Sequence, residues 1–143
     1  MLKWWRGLVE WWRDEVGGWR GFRASLGFAS RFGRVYALRD RGEVEDALTQ
    51  ALALAADVKA SPNRFNPVNR MMAAAIVDEL ARRLDRHDVA YDALKHALDV
   101  IDGEKAKLVP NLRPKPRDWA SILGRYERQF RESLNLIVSR RNG

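Results

Sequence analysis

Apolar residues recur every three or four positions along most of this chain, and no useful stretch alternates with a period of two. That spacing marks amphipathic helices and argues against strands. Six helices and no sheet are expected. The first covers about 2–20 and is interrupted around Gly17, Gly18 and Gly21, since an interior glycine costs about 1 kcal/mol relative to alanine. The second runs over 22–39 and stops at Asp40-Arg41-Gly42. The third, rich in Ala and Leu, spans 43–59. Ser61 to Pro67 then reads as a loop in which Asn66 caps a fourth helix, 67–84, with Pro67 in the first turn where its missing N–H does no harm. Asp85 to Asp88 reads as a tight turn with Asp88 as N-cap of a fifth helix reaching about Lys107. Pro110, Pro114 and Pro116 favour an extended path before a sixth helix, 117–141, with Asn142-Gly143 able to form a left-handed cap. The organisation expected is a Trp-rich amphipathic segment (1–21), a helical-hairpin core (22–108), a Pro-rich loop (109–116) and a long C-terminal helix (117–143).

One internal echo stands out. Residues 38–55 and 84–101 align at a shift of 46, with Leu38 on Leu84 and Asp46-Ala47-Leu48 and Ala51-Leu52 on Asp92-Ala93-Leu94 and Ala97-Leu98. Helix, polar turn and a helix reading D-A-L-x-x-A-L resembles the tetratricopeptide-repeat family over about 26–102. The resemblance places Val77, Leu80, Ala81 and Leu84 in the first-helix slots of the later copy, and Ala93 and Ala97 in its second-helix slots. In the earlier copy Gly42, Val44 and Ala47 follow the turn pattern, while Arg31 and Arg34 fall where apolar residues belong. Neither copy has the family's terminal proline, and the period is longer than the family's. The resemblance implies a protein-binding scaffold of stacked antiparallel hairpins, an all-α architecture; an unrelated helical bundle would carry the same Ala/Leu pattern.

The first segment is the most distinctive. At about 100° per residue, Trp5, Leu8, Val9, Trp12, Val16 and Trp19 share one stripe, widened by Trp4 and Trp11, and Arg6, Arg13 and Arg20 line its border. Burying an indole is worth a few kcal/mol, so this face needs a cover. Three covers compete: the chain's own hairpins, a partner protein's groove, for which Trp and Arg are the favoured anchor types, and a membrane interface. Glu10, Asp14 and Glu15 offset most of the positive charge of the segment and weaken attraction to anionic lipid.

Charge adds a second theme. The net charge is +7, with Lys+Arg 26 against Asp+Glu 19, and it is unevenly spread. Residues 1–41 hold nine basic and four acidic groups, 42–102 seven and eleven, and 103–143 ten and four. An acidic middle is flanked by basic ends, so an anionic partner would be met by the termini. Arg31, Arg34, Arg113, Lys115, Arg117, Arg125 and Arg128 could contact phosphates, and Phe22, Phe28, Phe32, Trp119 and Tyr126 could stack on bases, if the fold gathers them. No zinc-finger, helix-turn-helix or RNP pattern accompanies them, and a solvated basic rim is the plainer reading.

Chemistry is barely signalled. With no cysteine among 143 residues, disulfide, thiolate and cysteine-ligated metal sites are excluded. Asp92, His96 and Asp99 share a helical face, yet no second histidine stands at ligand spacing and His96 is expected on a charged exterior. Gly17, Gly18 and Gly21 lack the strand and the Lys-Ser/Thr pair of a phosphate loop. No catalytic residue, metal or cofactor is therefore assigned. Without a long apolar span or signal-type h-region the default address is cytoplasmic or membrane-peripheral. The expected function is a non-enzymatic adaptor or small complex subunit docking through Trp4, Trp5, Leu8, Trp11, Trp12 and Trp19 with Arg6 and Arg13 at the rim. A basic nucleic-acid-binding subunit is the alternative, and a peripheral membrane protein the third reading.

Overall fold

The computed structural model describes residues 19–62, 64–106 and 119–142. They form five helices: α1 (Trp19–Asp40), α2 (Val44–Ala60), α3 (Pro67–Arg83), α4 (His87–Ala106) and α5 (Trp119–Asn142). The described residues contain no strand. The expected all-α class holds, with five helices rather than six; residues 1–18, most of the first one expected, lie outside the described residues, as do Gly17 and Gly18. At Gly21 the expected interruption does not occur, and α1 begins at Trp19 and continues to Asp40. Within a helix a single glycine lowers stability without blocking the hydrogen-bond ladder, so neighbouring helix-formers carry the helix past it.

Each helix packs against the next in sequence, and α1 also touches α3. The core follows this order. From α1 come Phe28, Phe32 and Val35, and from α2 Ala47, Leu48, Ala51, Leu54 and Val58. α3 lies at the centre with neighbours on several sides, and buries eleven of its residues from Pro67 to Ala81. α5 contributes a narrow seam, Leu123, Phe130 and Ile137, spaced by seven as expected for a helix docked on one neighbour. Rings tie the first layer together: Phe28 stacks on Phe32 at 5.4 Å and meets Phe65 edge-on at 6.4 Å.

Local sequence sets the helix ends. Asn66 Oδ1 accepts the Asn69 backbone N–H at 2.7 Å and Pro67 occupies the first turn, as the sequence predicts. Both hairpin turns end their first helix with the same paired bonds. Glu43 N donates to Leu38 O and Gly42 N to Arg39 O; Arg86 N donates to Ala81 O and Asp85 N to Arg82 O. Such a motif needs one left-handed residue, supplied by Gly42 (φ 83°) in the first turn and by Asp85 (φ 56°) in the second. The second turn is thus shorter than predicted. α4 starts at His87, and Asp88 lies inside its first turn instead of capping it. At the chain's end Asn142 is still helical, and Gly143 lies outside the described residues.

Candidate functional site

Of the residues expected to bind a partner, Trp4, Trp5, Arg6, Leu8, Trp11, Trp12 and Arg13 lie outside the described residues, and Trp19 opens α1. The surface that follows them is described. Leu26, Gly27, Ser30, Gly33 and Ala37 are all exposed on α1, with Leu26 55% exposed, and nothing lies within 4 Å of where a Cβ would stand at Gly27 or Gly33. The outward side of α5 differs in character: Arg125, Arg128, Gln129, Arg131, Glu132 and Asn135 are exposed, joined near its end by Leu136 and Val138.

The described basic residues proposed for phosphate contact come from opposite ends of the packing order. Arg31 is engaged within the chain, its Nη1 2.6 Å from Asp57 Oδ2. Arg34 is exposed on α1, whereas Arg125 and Arg128 are exposed on α5, at the other end of the sequential packing. Arg113, Lys115 and Arg117 lie outside the described residues. Nor are Phe28, Phe32 and Tyr126 free for bases. Phe28 and Phe32 are buried in the core, and Tyr126 is partly buried with its ring stacked on Phe130 at 5.9 Å. Burial in that apolar setting raises the Tyr126 pKa. Helical spacing turned these rings toward the neighbouring helices, where an aromatic face gains most by leaving water.

Charged side chains knit the first three helices. Arg39 of α1 forks onto both carboxylate oxygens of Glu79 at 3.0 and 3.1 Å and lies 4.1 Å over the Tyr36 ring. Burial works against the guanidinium charge, but Glu79 more than compensates and the Arg39 pKa rises. Asp78 is 4% exposed and receives only Arg82 Nη2, at 2.8 Å, on one oxygen. Its other oxygen has no partner. Burial accordingly raises the Asp78 pKa in spite of Arg82.

His96 of α4 is not on the charged exterior that its flanking aspartates predict. His96 is half-buried and its Nε2 is enclosed without a hydrogen-bond partner. Burial lowers its pKa, and the charges of Lys59 and Arg70 lower it further against the opposing pull of Asp99. Asp92 and Asp99 are exposed, and no group of three or more His, Asp or Glu side chains that could hold a metal occurs among the described residues. No local pattern in the chain signals that the charges of Lys59 and Arg70 act on His96, because the three residues come from α2, α3 and α4. No protein-family model, no curated protein and no solved structure matches the chain.

Proposed function

We propose that this chain is a non-enzymatic interaction protein, an adaptor or small subunit of a larger complex, built as a stack of helical hairpins of tetratricopeptide type. In this reading it docks another protein at the N-terminal end of the stack. Trp4, Trp5, Leu8, Trp11, Trp12 and Trp19 are the apolar anchors, and Arg6 and Arg13 set orientation at the rim. The observation that carries it is the outer face of α1: the helix adjoining the Trp-rich stretch presents Leu26, Gly27, Ser30, Gly33 and Ala37 outward with Arg34 among them, an exposed face of mostly small residues around one apolar and one basic side chain, for which a partner protein is a fitting cover. A membrane role is the weaker competitor, and no described helix is long and apolar enough to cross a bilayer.

A second reading, a basic subunit of a nucleoprotein complex, draws support from Arg34, Arg125 and Arg128, which are exposed and engaged in no ion pair among the described residues. One experiment separates the two. Wild type and a Trp5→Ala/Trp12→Ala double variant are used as bait in native lysate, with and without nuclease. The docking reading expects nuclease-resistant partners that the variant loses, while its helical circular dichroism and thermal midpoint stay unchanged. Partners released by nuclease favour the second reading. Collapse of the variant's fold means that the indoles belong to the core, and undiminished capture means that they bind nothing; either defeats the docking reading.

A further inference from the structure

The outward side of α1 has a period of its own. Arg23, Ser30 and Ala37 stand seven apart, and so do Leu26, Gly33 and Asp40. The two columns are offset by three and four, the spacing of the a and d positions along a coiled-coil seam. On the helix they lie opposite Phe28, Phe32 and Val35, the side through which α1 enters the core. Leu26, Ser30, Gly33, Ala37 and Asp40 are all exposed, and nothing approaches within 4 Å of a Cβ built at Gly33. A helix face kept in water is usually lined with charge, yet the exposed residues from Leu26 to Ala37 carry only that of Arg34. At the end of the seam the Asp40 side chain is 69% exposed. Its contact within the chain is Arg39, which is itself forked onto Glu79.

We propose that a second copy of this chain covers the face, the two α1 helices lying antiparallel about a twofold axis level with the peptide between positions 31 and 32. In that register every a position opposes a d position of the partner. Leu26 meets the partner's Ala37, Ser30 meets the partner's Gly33, and Arg23 stands opposite the partner's Asp40. The two inner layers set a larger side chain against a smaller one, and the outer layer sets opposite charges against each other. Arg34 flanks the seam beside the partner's Gly27, where the missing side chain leaves room for it. Symmetry repeats each contact, so the face is complementary to itself, as a twofold interface requires. A parallel pair would instead bring Arg23 onto Arg23 and Asp40 onto Asp40, and a slip of one heptad separates both ion pairs. The proposal rests on the docking reading only in taking the outer face of α1 as covered by protein, and it names the cover. The paired stretch, 23–40, leaves the anchors at 4–19 to a different protein.

The test is sedimentation velocity of the full chain over a concentration series, which is expected to show a reversible monomer–dimer equilibrium. Gly33→Arg places a long cation at the closest approach and abolishes the dimer, while helical circular dichroism persists. Arg23→Asp and Asp40→Arg each weaken association about tenfold by opposing like charges at both ends, and the two together restore it. Because the chain has no cysteine, engineered thiols report direction. Leu26→Cys/Ala37→Cys oxidised with diamide gives a covalent dimer, and Leu26→Cys alone does not, since antiparallel copies of position 26 stand too far apart for a disulfide. A chain that is monomeric at every concentration, a dimer that survives Gly33→Arg, or a double charge swap that fails to restore association overturns the proposal. A monomeric chain that still captures a lysate partner, and loses it with Gly33→Arg, gives the face to a different protein: the second copy is refuted and the docking reading stands. A dimer formed as described by a chain that captures nothing refutes the docking reading alone.

Discussion

At the scale of single residues, Asp78 shows how a polar group settles in a helical core. It projects from the central helix with one oxygen on Arg82 and the other on nothing, and burial outweighs the partner so that its pKa rises. The folded chain therefore holds this proton more tightly than the unfolded chain does. Stability referable to Asp78 falls as pH rises through the interval between the ordinary carboxyl value and the raised one, and the full penalty is present at neutral pH. Asp78→Asn is expected to raise the urea midpoint at pH 7, by about 1 kcal/mol in unfolding free energy. The advantage should fade as the medium is acidified and the wild-type carboxyl takes up its proton. A variant less stable than wild type at pH 7 would mean that the Arg82 bond outweighs desolvation.

Helix-scale behaviour is clearest in α1. Its inward positions, Phe28, Phe32 and Val35, are closed by α2 and α3, but Gly27 and Gly33 face open space. Nothing inside the chain requires glycine there: neither residue has a left-handed backbone, and neither permits a close approach. Both weaken the helix, and Gly33→Ala is expected to stabilise the protein by about 1 kcal/mol, read as a higher thermal midpoint by circular dichroism. If that face is where a partner helix sits, the same methyl group will also weaken capture, giving a variant more stable and less competent. Sequence offered Phe28 and Phe32 as rings that could stack on bases; packing against α2 and α3 turned them inward and left the opposite face open.

For the whole molecule, the order of packing matters most. α5 is joined to the rest through α4, by its seam of Leu123, Phe130 and Ile137 and the ion pair of Lys105 with Glu127 at 2.5 Å. Phe130→Ala removes the largest of these side chains and should cost about 3 kcal/mol, which is measured by chemical denaturation. If the stack folds as one unit, near- and far-ultraviolet signals will move together to the lower midpoint. Two separated transitions would show that α5 melts independently of the hairpins.

The repeat echo shows where sequence reading stopped. Helical class, the Asn66-Pro67 start of α3 and the buried fate of Leu48, Ala51, Leu94 and Ala97 all follow from periodicity and capping, which are local properties. Yet the left-handed turn residues, Gly42 and Asp85, stand 43 positions apart, whereas the matching D-A-L segments stand 46 apart. The later copy therefore enters its helix three residues further on, a rotation of about 60° relative to its hairpin. Identical residues meet different surroundings as a result: Leu98 is buried, whereas Leu52 is 38% exposed.

Sequence alone determined what depends on composition or on neighbours within a turn or two: the helical class, the Asn66-Pro67 start of α3 and the absence of cysteine chemistry. Tertiary structure alone decided what depends on distant segments meeting. It took Arg31 out of contention by giving it Asp57, turned Phe28 and Phe32 into core, and half-buried His96 where burial and the charges of Lys59 and Arg70 outweigh Asp99. Charge and solvation act through space, and the position of a residue along the chain carries no trace of which distant segments will cover it.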